Sequence, residues 1–392
     1  MWKDTFKRII LIFKREVWLF AHRPMFLFCT IIAPVICLIF FTTLMKDGLP
    51  TNLPTGLVDE DCTHITRIVA RIIDAFAEPK IVAHYPTFTE ARQAMQRGEI
   101  YAFYYIPRGT TVKAEANEQP TISFYTNEAY LVPGTLLMKE LRTCGELAHL
   151  GLSRETLYAK GYTEDQAMAI IRPIVVEGHP LNNPTLNYSV YLNNILLPGI
   201  LILLILLTTT YTIGYEWKQE TQKEWYRLSG NSVMIALIGK LLPQTVIFPP
   251  ITTLYDVVFF NYLQFPCNCG ILRMILLGIM TVLASQAFGV FLFGLFTGFM
   301  RLAMCLSALW GILSFSLAGF TYPVTAMNPV MQVLAYLFPL RHYYLIYVNQ
   351  ALDGNSIIYV WPSALAMMLF LVLPFLVIYR YRIAFKKYKY IP

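Results

Sequence analysis

At 392 residues the chain is long enough for more than one domain, but 56% of it is apolar and only 14% charged, against about 25% charged in a soluble domain. That balance argues against an ordinary water-soluble enzyme. The charge is also unevenly spread: Lys46–Tyr188 holds 13 Lys/Arg and 17 Asp/Glu, which leaves 18 basic and 7 acidic residues for the other two-thirds. A membrane protein carrying one polar domain fits this division.

Residues 1–24 open with Trp2, Phe6, Ile9, Ile10, Phe13, Val17 and Phe20 at three- and four-residue steps, and Lys3, Lys7, Lys14 and Arg15 fall on the other side. This predicts an amphipathic helix lying in the membrane interface; the alternative is a helical extension of the first span. Residues 25–45 form that span, since about 20 apolar residues cross the hydrocarbon as a helix. The run is too long for a cleavable signal and is expected to remain as an anchor.

The polar segment 46–188 alternates short apolar runs with helical periods. "TGLVDED", "KIVAHY", "IYAFYYIP" and "TISFYT" read as strands, with helices near His64–Phe76, Phe88–Arg97, Tyr130–Leu150 and Glu164–Ile171. The expectation is an α/β domain inserted after the first span, large enough to bury its own core.

Residues 189–380 carry five further apolar runs, Leu192–Ile213, Val233–Phe260, Ile271–Thr297, Leu302–Phe320 and Tyr359–Tyr379. Lys240, Pro243, Pro249, Pro250 and Asp256 interrupt the first of these after 213, which predicts a kinked third span. Residues 322–358 are apolar but cut by Pro323, Pro329 and Pro339 into pieces too short to cross. Tyr322, Tyr336, Phe338, Tyr343, Tyr344 and Tyr347 suit a water–lipid boundary, so two short helices dipping into the outer leaflet are expected here. Lys and Arg crowd the segment before the first span and the tail 381–392, which places both termini in the cytoplasm, the polar domain outside and the connection 214–232 inside.

Of seven cysteines, Cys62 and Cys144 could form a disulfide in an oxidising compartment, while Cys267 and Cys269 read as structural rather than as a metal pair. None of the six histidines pairs with another at metal-ligand spacing. No phosphate-binding loop occurs: the Gly239–Lys240 pair is followed by Leu241 inside a span. The chain is therefore expected to have no ATPase chemistry and no bound cofactor of its own. Lys240 lies about 10 Å inside the third span, where snorkelling to the headgroups is the simplest reading. Ser285 with Gly289, and Gly294 with Gly298, permit close helix approach within the chain or between two chains.

Glu216, Glu220 and Glu224 fall at i, i+4 and i+8, one side of a helix, with Trp217, Trp225 and Leu228 as apolar anchors. An acidic stripe beside exposed tryptophans suits a protein contact; a solvated connector with its Trp residues at the headgroups is the alternative.

Three patterns then stand in order: "GYEWKQETQKEW", "ALIGKLLPQT" and "SLAGFTYPVTAMNPVMQVLAYLFPLRHYY". Together they resemble the membrane subunits of type-2 ABC exporters, the ABC-2 permease family. In that family's cytoplasmic motif, Glu-Arg-Glu-x-Gly-Thr-x-Glu, Glu216 and Thr221 take matching positions; Glu220 stands where Gly is usual, Lys223 where Glu is usual, and Glu224 comes one position late. Gly239, Lys240 and Pro243 meet the family's Gly-Lys-x-x-Pro. Gly319, Phe320, Pro323 and Met327 meet its outer pattern, with Asn328 inserted before Pro329.

The resemblance implies a six-span, α-helical polytopic permease with an inserted α/β extracytoplasmic domain, pairing with a second permease chain in the cytoplasmic membrane. It implies separate ABC ATPase subunits, holding ATP and Mg, docked on Glu216, Trp217, Glu220, Thr221, Glu224 and Trp225. An amphiphilic or drug-like compound, or a lipid, is the expected cargo, and the external domain would gate exit or meet a periplasmic adaptor; no nucleic acid is implied. Two readings from other classes stay open: an ion-coupled secondary transporter using Lys240 and Asp256, and a membrane-anchored scaffold acting through its external domain.

Overall fold

The computed structural model describes every residue except Met1, Asn117, Gln119, 173–177 and 388–392. It divides into two units, Leu49–His179 on one hand and Met1–Gly48 with Pro180–Pro392 on the other.

The smaller unit is built on a four-stranded sheet: β1 (Leu53–Asp59), β2 (Pro79–His84), β3 (Ala102–Ile106) and β4 (Ser123–Thr126), in the spatial order β2-β1-β3-β4. The first three pair in parallel and β4 runs antiparallel to β3. Successive side chains of a strand point to opposite faces, so neighbouring residues enter different layers. Val58 and Phe103 pack with Ala91 and Ala94 of helix Phe88–Gln96. Leu57 and Tyr104 pack with Ile73 of helix His64–Asp74 and with Leu141 of helix Leu131–Ala159. Covering both faces is what makes β1 and β3 read as unbroken apolar runs. Asp61, just after β1, accepts hydrogen bonds from the N–H of Gly109 (2.7 Å), the N–H of Thr111 (2.9 Å) and the Thr111 hydroxyl (2.6 Å), fastening the start of helix Thr110–Glu115.

Of the two outcomes open for Cys62 and Cys144, the structure has the unbridged one; both thiols are free. Cys62 is exposed, its Sγ donating to the Asp59 carbonyl at 3.1 Å. Cys144 instead packs beneath the sheet against the Leu57 and Tyr104 layer.

In the larger unit, α1 (Trp2–Ala21) is followed, among the described residues, by six helices long and apolar enough to cross a membrane: α2 (Pro24–Leu44), α3 (Tyr188–Lys218), α5 (Val233–Tyr262), α6 (Ile271–Leu295), α7 (Met300–Leu317) and α10 (Ile357–Lys387). Between α3 and α5 stands the short helix α4 (Gln222–Leu228), and between α7 and α10 stand α8 (Pro329–Ala335) and α9 (Pro339–Tyr347). Helix α3 packs against both α6 and α7, α1 lies on α5, and α10 lies on α6. The small residues of α6 are used within the chain. A Cβ on Gly294 would come within 2.5 Å of Val377 on α10, and one on Gly289 within 3.0 Å of Thr209 on α3.

Several local expectations are revised. Arg380–Lys387 is helical and continuous with the last span; the remaining tail residues, Lys389 among them, and the Trp2 side chain lie outside what is described. Phe338, Tyr343 and Tyr347 are buried, whereas Tyr322 and Tyr336 are exposed. The proline-rich segment therefore contributes half of its aromatics to the core.

Candidate functional site

Helix α1 turns a narrow stripe inward: Ile12, Glu16 and Phe20, four residues apart, are buried, while Phe6, Leu11 and Trp18 are exposed. The stripe lies against α5 because of Gly239. A Cβ there would sit 2.9 Å from the Ile12 Cβ, so only glycine lets the two helices approach this closely. One residue on, Lys240 meets Glu16, one turn beyond Ile12, with Nζ 2.9 Å from Oε2. The same Nζ donates to Glu216 Oε1 at 2.7 Å. Snorkelling is thus not what Lys240 does; only 1% of it is exposed.

Glu216 closes the cluster. Arg15 holds both of its oxygens, Nη1 to Oε1 at 2.9 Å and Nη2 to Oε2 at 3.0 Å, and Arg15 Nη1 also reaches Glu16 Oε1 at 2.9 Å. Thr221 donates its hydroxyl to Glu216 Oε2 at 2.6 Å. Two carboxylates and two cations from α1, α3 and α5 therefore form a net-neutral knot, which is the condition under which buried charge is tolerated. Burial works against the charge of Arg15, but the hydrogen bond and charge of Glu216, with Glu16 and Glu224 behind it, outweigh this and hold its proton more tightly than usual.

The tryptophans form the floor. Trp225 is fully buried, donates Nε1–H to the Ala236 carbonyl at 3.2 Å and places its ring 4.8 Å from Lys240 Nζ. Trp217, also fully buried, meets Trp225 edge-on and packs on Phe293 and Phe385. Neither is an exposed docking anchor. The acidic stripe is revised as well: α3 stops at Lys218 and α4 starts at Gln222, so Glu216, Glu220 and Glu224 do not share a helix side. Glu216 is buried while Glu220 and Glu224 are exposed. Glu220 has φ +56°, the left-handed conformation for which glycine is the ordinary choice.

Polar contacts continue along α5. Pro243 is buried one turn past Gly239, and Gln244 bridges to α3 through the hydroxyls of Thr209 (3.2 Å) and Thr212 (2.7 Å). Thr245 donates to Gln286 of α6 at 2.8 Å. Asp256 lies about 24 Å farther along the same helix than Lys240, too far to pair with it. Its Oδ2 has no hydrogen-bond partner among the described residues.

The outer motif is a separate construction. Gly319 ends α7 with φ +100°, and Tyr191 of α3 donates to the Phe320 carbonyl at 2.8 Å. Pro323 precedes a single 3-10 turn. Gln332 donates to the Met327 carbonyl at 2.9 Å, and the extra Asn328 caps α8, accepting from Val330 N–H at 3.0 Å with Pro329 in the first turn. These residues shape a turn and bring no charged groups together.

Arg15 and Glu16 were not singled out by sequence reasoning. Their signal was present in the step Ile12, Glu16, Phe20, where one acid interrupts an apolar stripe and could meet a lysine that has no acid within its own turn of the third span.

Among known families, the model described as ABC-2 family transporter protein matches residues 24–380. The chain belongs to the ABC-2 transporter family. It is thus a multi-pass membrane protein of the kind that serves as the transport subunit of ABC systems. No curated protein matches it. The Glu216–Thr221 hydrogen bond and the Lys240–Glu216 ion pair thus tie the foot of α3 to the start of α5.

Proposed function

We propose that this chain is the permease of an ATP-driven exporter in the cytoplasmic membrane, working as a pair of such chains with two separate ATPase subunits that hold ATP and Mg. The ATPases would dock on the exposed residues around α4, Lys218, Glu220, Lys223, Glu224 and Arg227, and on α1. The observation that carries this is the Arg15–Glu16–Glu216–Lys240 knot: α1, the foot of α3 and the start of α5 share one set of buried ion pairs. A push on the α3–α4 turn would therefore move all three as one body. Buried pairs of this kind fix relative position more than they add stability.

In this reading the six named motif residues divide. Glu220 and Glu224 can face a partner, while Glu216, Thr221, Trp217 and Trp225 form the rigid seat behind the contact. Both termini and the α3–α5 connection lie in the cytoplasm, and the α/β domain lies outside, gating exit or meeting an adaptor. An amphiphilic compound or lipid is the cargo class, because a path between two such bundles opens toward the bilayer.

The test is co-purification and ATP turnover of the chain with a P-loop ATPase. Reversing Lys218, Lys223 and Arg227 to Glu should abolish association, since misplaced like charges cost several kcal/mol across an interface. Lys240→Met with Glu16→Gln should leave association intact and uncouple hydrolysis from cargo stimulation. Full association of the triple reversal would remove α4 from the contact, and normal coupling in the double variant would remove the knot from the mechanism.

A further inference from the structure

At the opposite end of α6 from Gly294, two cavities join through shared lining residues. The first is an apolar groove of about 190 Å³ between α6, α9 and α10, walled by Leu277, Met280, Ile346, Ala364 and Met367. The second is a polar mouth of about 520 Å³, lined by Gly354, Asn355 and Ser356. Arg273, Gln350 and Ile357 line both.

Arg273 is the singular feature. It stands in the first turn of α6, where a cation opposes the helix dipole, and helix stability does not account for it. Among the described residues no carboxylate pairs with it. Its position is nevertheless held: Gln350, only 3% exposed, spends its amide N–H groups on Asn349 Oδ1 (2.8 Å) and the Asn355 carbonyl (2.8 Å), so its Oε1 is left to accept from Arg273 Nη1 at 3.3 Å. Arg273 is exposed and lines the mouth as well as the groove. The N-terminus of α6 also has no side-chain cap, with Gly270 at the cap position, and an uncapped helix start favours a phosphate.

We infer that this groove binds a net-anionic bilayer phospholipid, its phosphate on Arg273 and the α6 N-terminus and one acyl chain in the apolar groove. The occupant follows from three facts. Arg273 supplies an unmatched positive charge, and guanidinium binds phosphate through two parallel hydrogen bonds. No lining residue is acidic, so an ammonium-bearing headgroup would find no counter-charge. The groove opens between two spans, where Leu276 and Met368, each 57% exposed, face the bilayer. The site is independent of the ATPase contact and of the buried ion knot.

The experiment is native mass spectrometry of the full chain in mild detergent, titrated separately with phosphatidylglycerol and phosphatidylcholine. The wild type should retain one phosphatidylglycerol per chain in preference to phosphatidylcholine. Arg273→Ala should weaken that retention by about tenfold or more, and Arg273→Lys should keep part of it. Ala364→Phe fills the groove while leaving Arg273 in place, and should lose the lipid too; it carries the test if Arg273→Ala does not fold. Equal retention of both lipids, or unchanged retention in Arg273→Ala or Ala364→Phe, overturns the inference. Displacement of phosphatidylglycerol by equimolar dodecanoate also overturns it, by making the groove a site for free carboxylate amphiphiles.

Discussion

Lys240→Met tests the buried knot most directly. Methionine keeps most of the length and the apolar stem of lysine but removes the ammonium that sits 2.9 Å from Glu16 and 2.7 Å from Glu216. Arg15 would then face two carboxylates alone, leaving one uncompensated negative charge where both acids are almost fully buried. Breaking a buried pair in this way costs about 3–5 kcal/mol. Adding Glu16→Gln removes the excess charge while preserving the two-pronged Arg15–Glu216 contact, so the double variant should regain at least about 2 kcal/mol of that loss. Equilibrium unfolding of the full chain in mixed micelles, run as a double-mutant cycle, reads the coupling between the two sites. A loss below about 1 kcal/mol in Lys240→Met, or strictly additive effects, would show that the four groups do not act as one unit.

Three further outcomes are expected. Glu220→Gly should raise stability by about 0.5–1 kcal/mol, since it relieves a left-handed residue whose side chain is exposed, whereas Glu220→Val should lower it; a destabilised glycine variant in the same unfolding assay contradicts this. Asp61 is held below the usual carboxylate range by the hydroxyl and N–H of Thr111 and the N–H of Gly109, so the protection it gives is present above its ordinary pKa and lost as pH falls through the lowered one. Hydrogen-exchange protection of the Gly109 and Thr111 amides should follow that course in the wild type and be weak at every pH in Asp61→Asn. Single cysteines replacing Lys218 and Asn355 should react with impermeant reagent only from the cytoplasm and only from outside, respectively; labelling of both from one side breaks the six-span orientation.

The spans and strands were legible because each rests on a repeat that one segment displays alone: continuous apolarity over a bilayer's width for Pro24–Leu44 or Ile271–Leu295, and short apolar runs between turns for β1 to β4. The knot was only half legible. Lys240 and Glu216 stood out as charges beside apolar runs, but that they meet, and that Glu16 joins them, depends on α1 lying along α5. A local pattern does not contain that crossing, although Gly239 permits it. Trp217 and Trp225 misled for a related reason. Surrounded by Lys and Glu in sequence, they look exposed, yet Phe293 and Phe385, from distant helices, cover them. The i, i+4, i+8 count over Glu216, Glu220 and Glu224 assumed one continuous helix, and the chain breaks it at Glu220.

The pairing of Glu216 with Lys240 also bears on how the chain enters the membrane. A lysine carried into the bilayer on a lone helix is penalised by about 2.5–3.5 kcal/mol on insertion scales, and three prolines, Pro243, Pro249 and Pro250, already weaken that helix as an independent passenger. Its acid partner, however, lies only 24 residues upstream, at the foot of the preceding span. The second and third spans can therefore leave the insertion machinery as a hairpin whose charges cancel, with Arg15 and Glu16, made long before, available to complete the set. The order of synthesis thus brings each later charge beside a counter-charge that already exists.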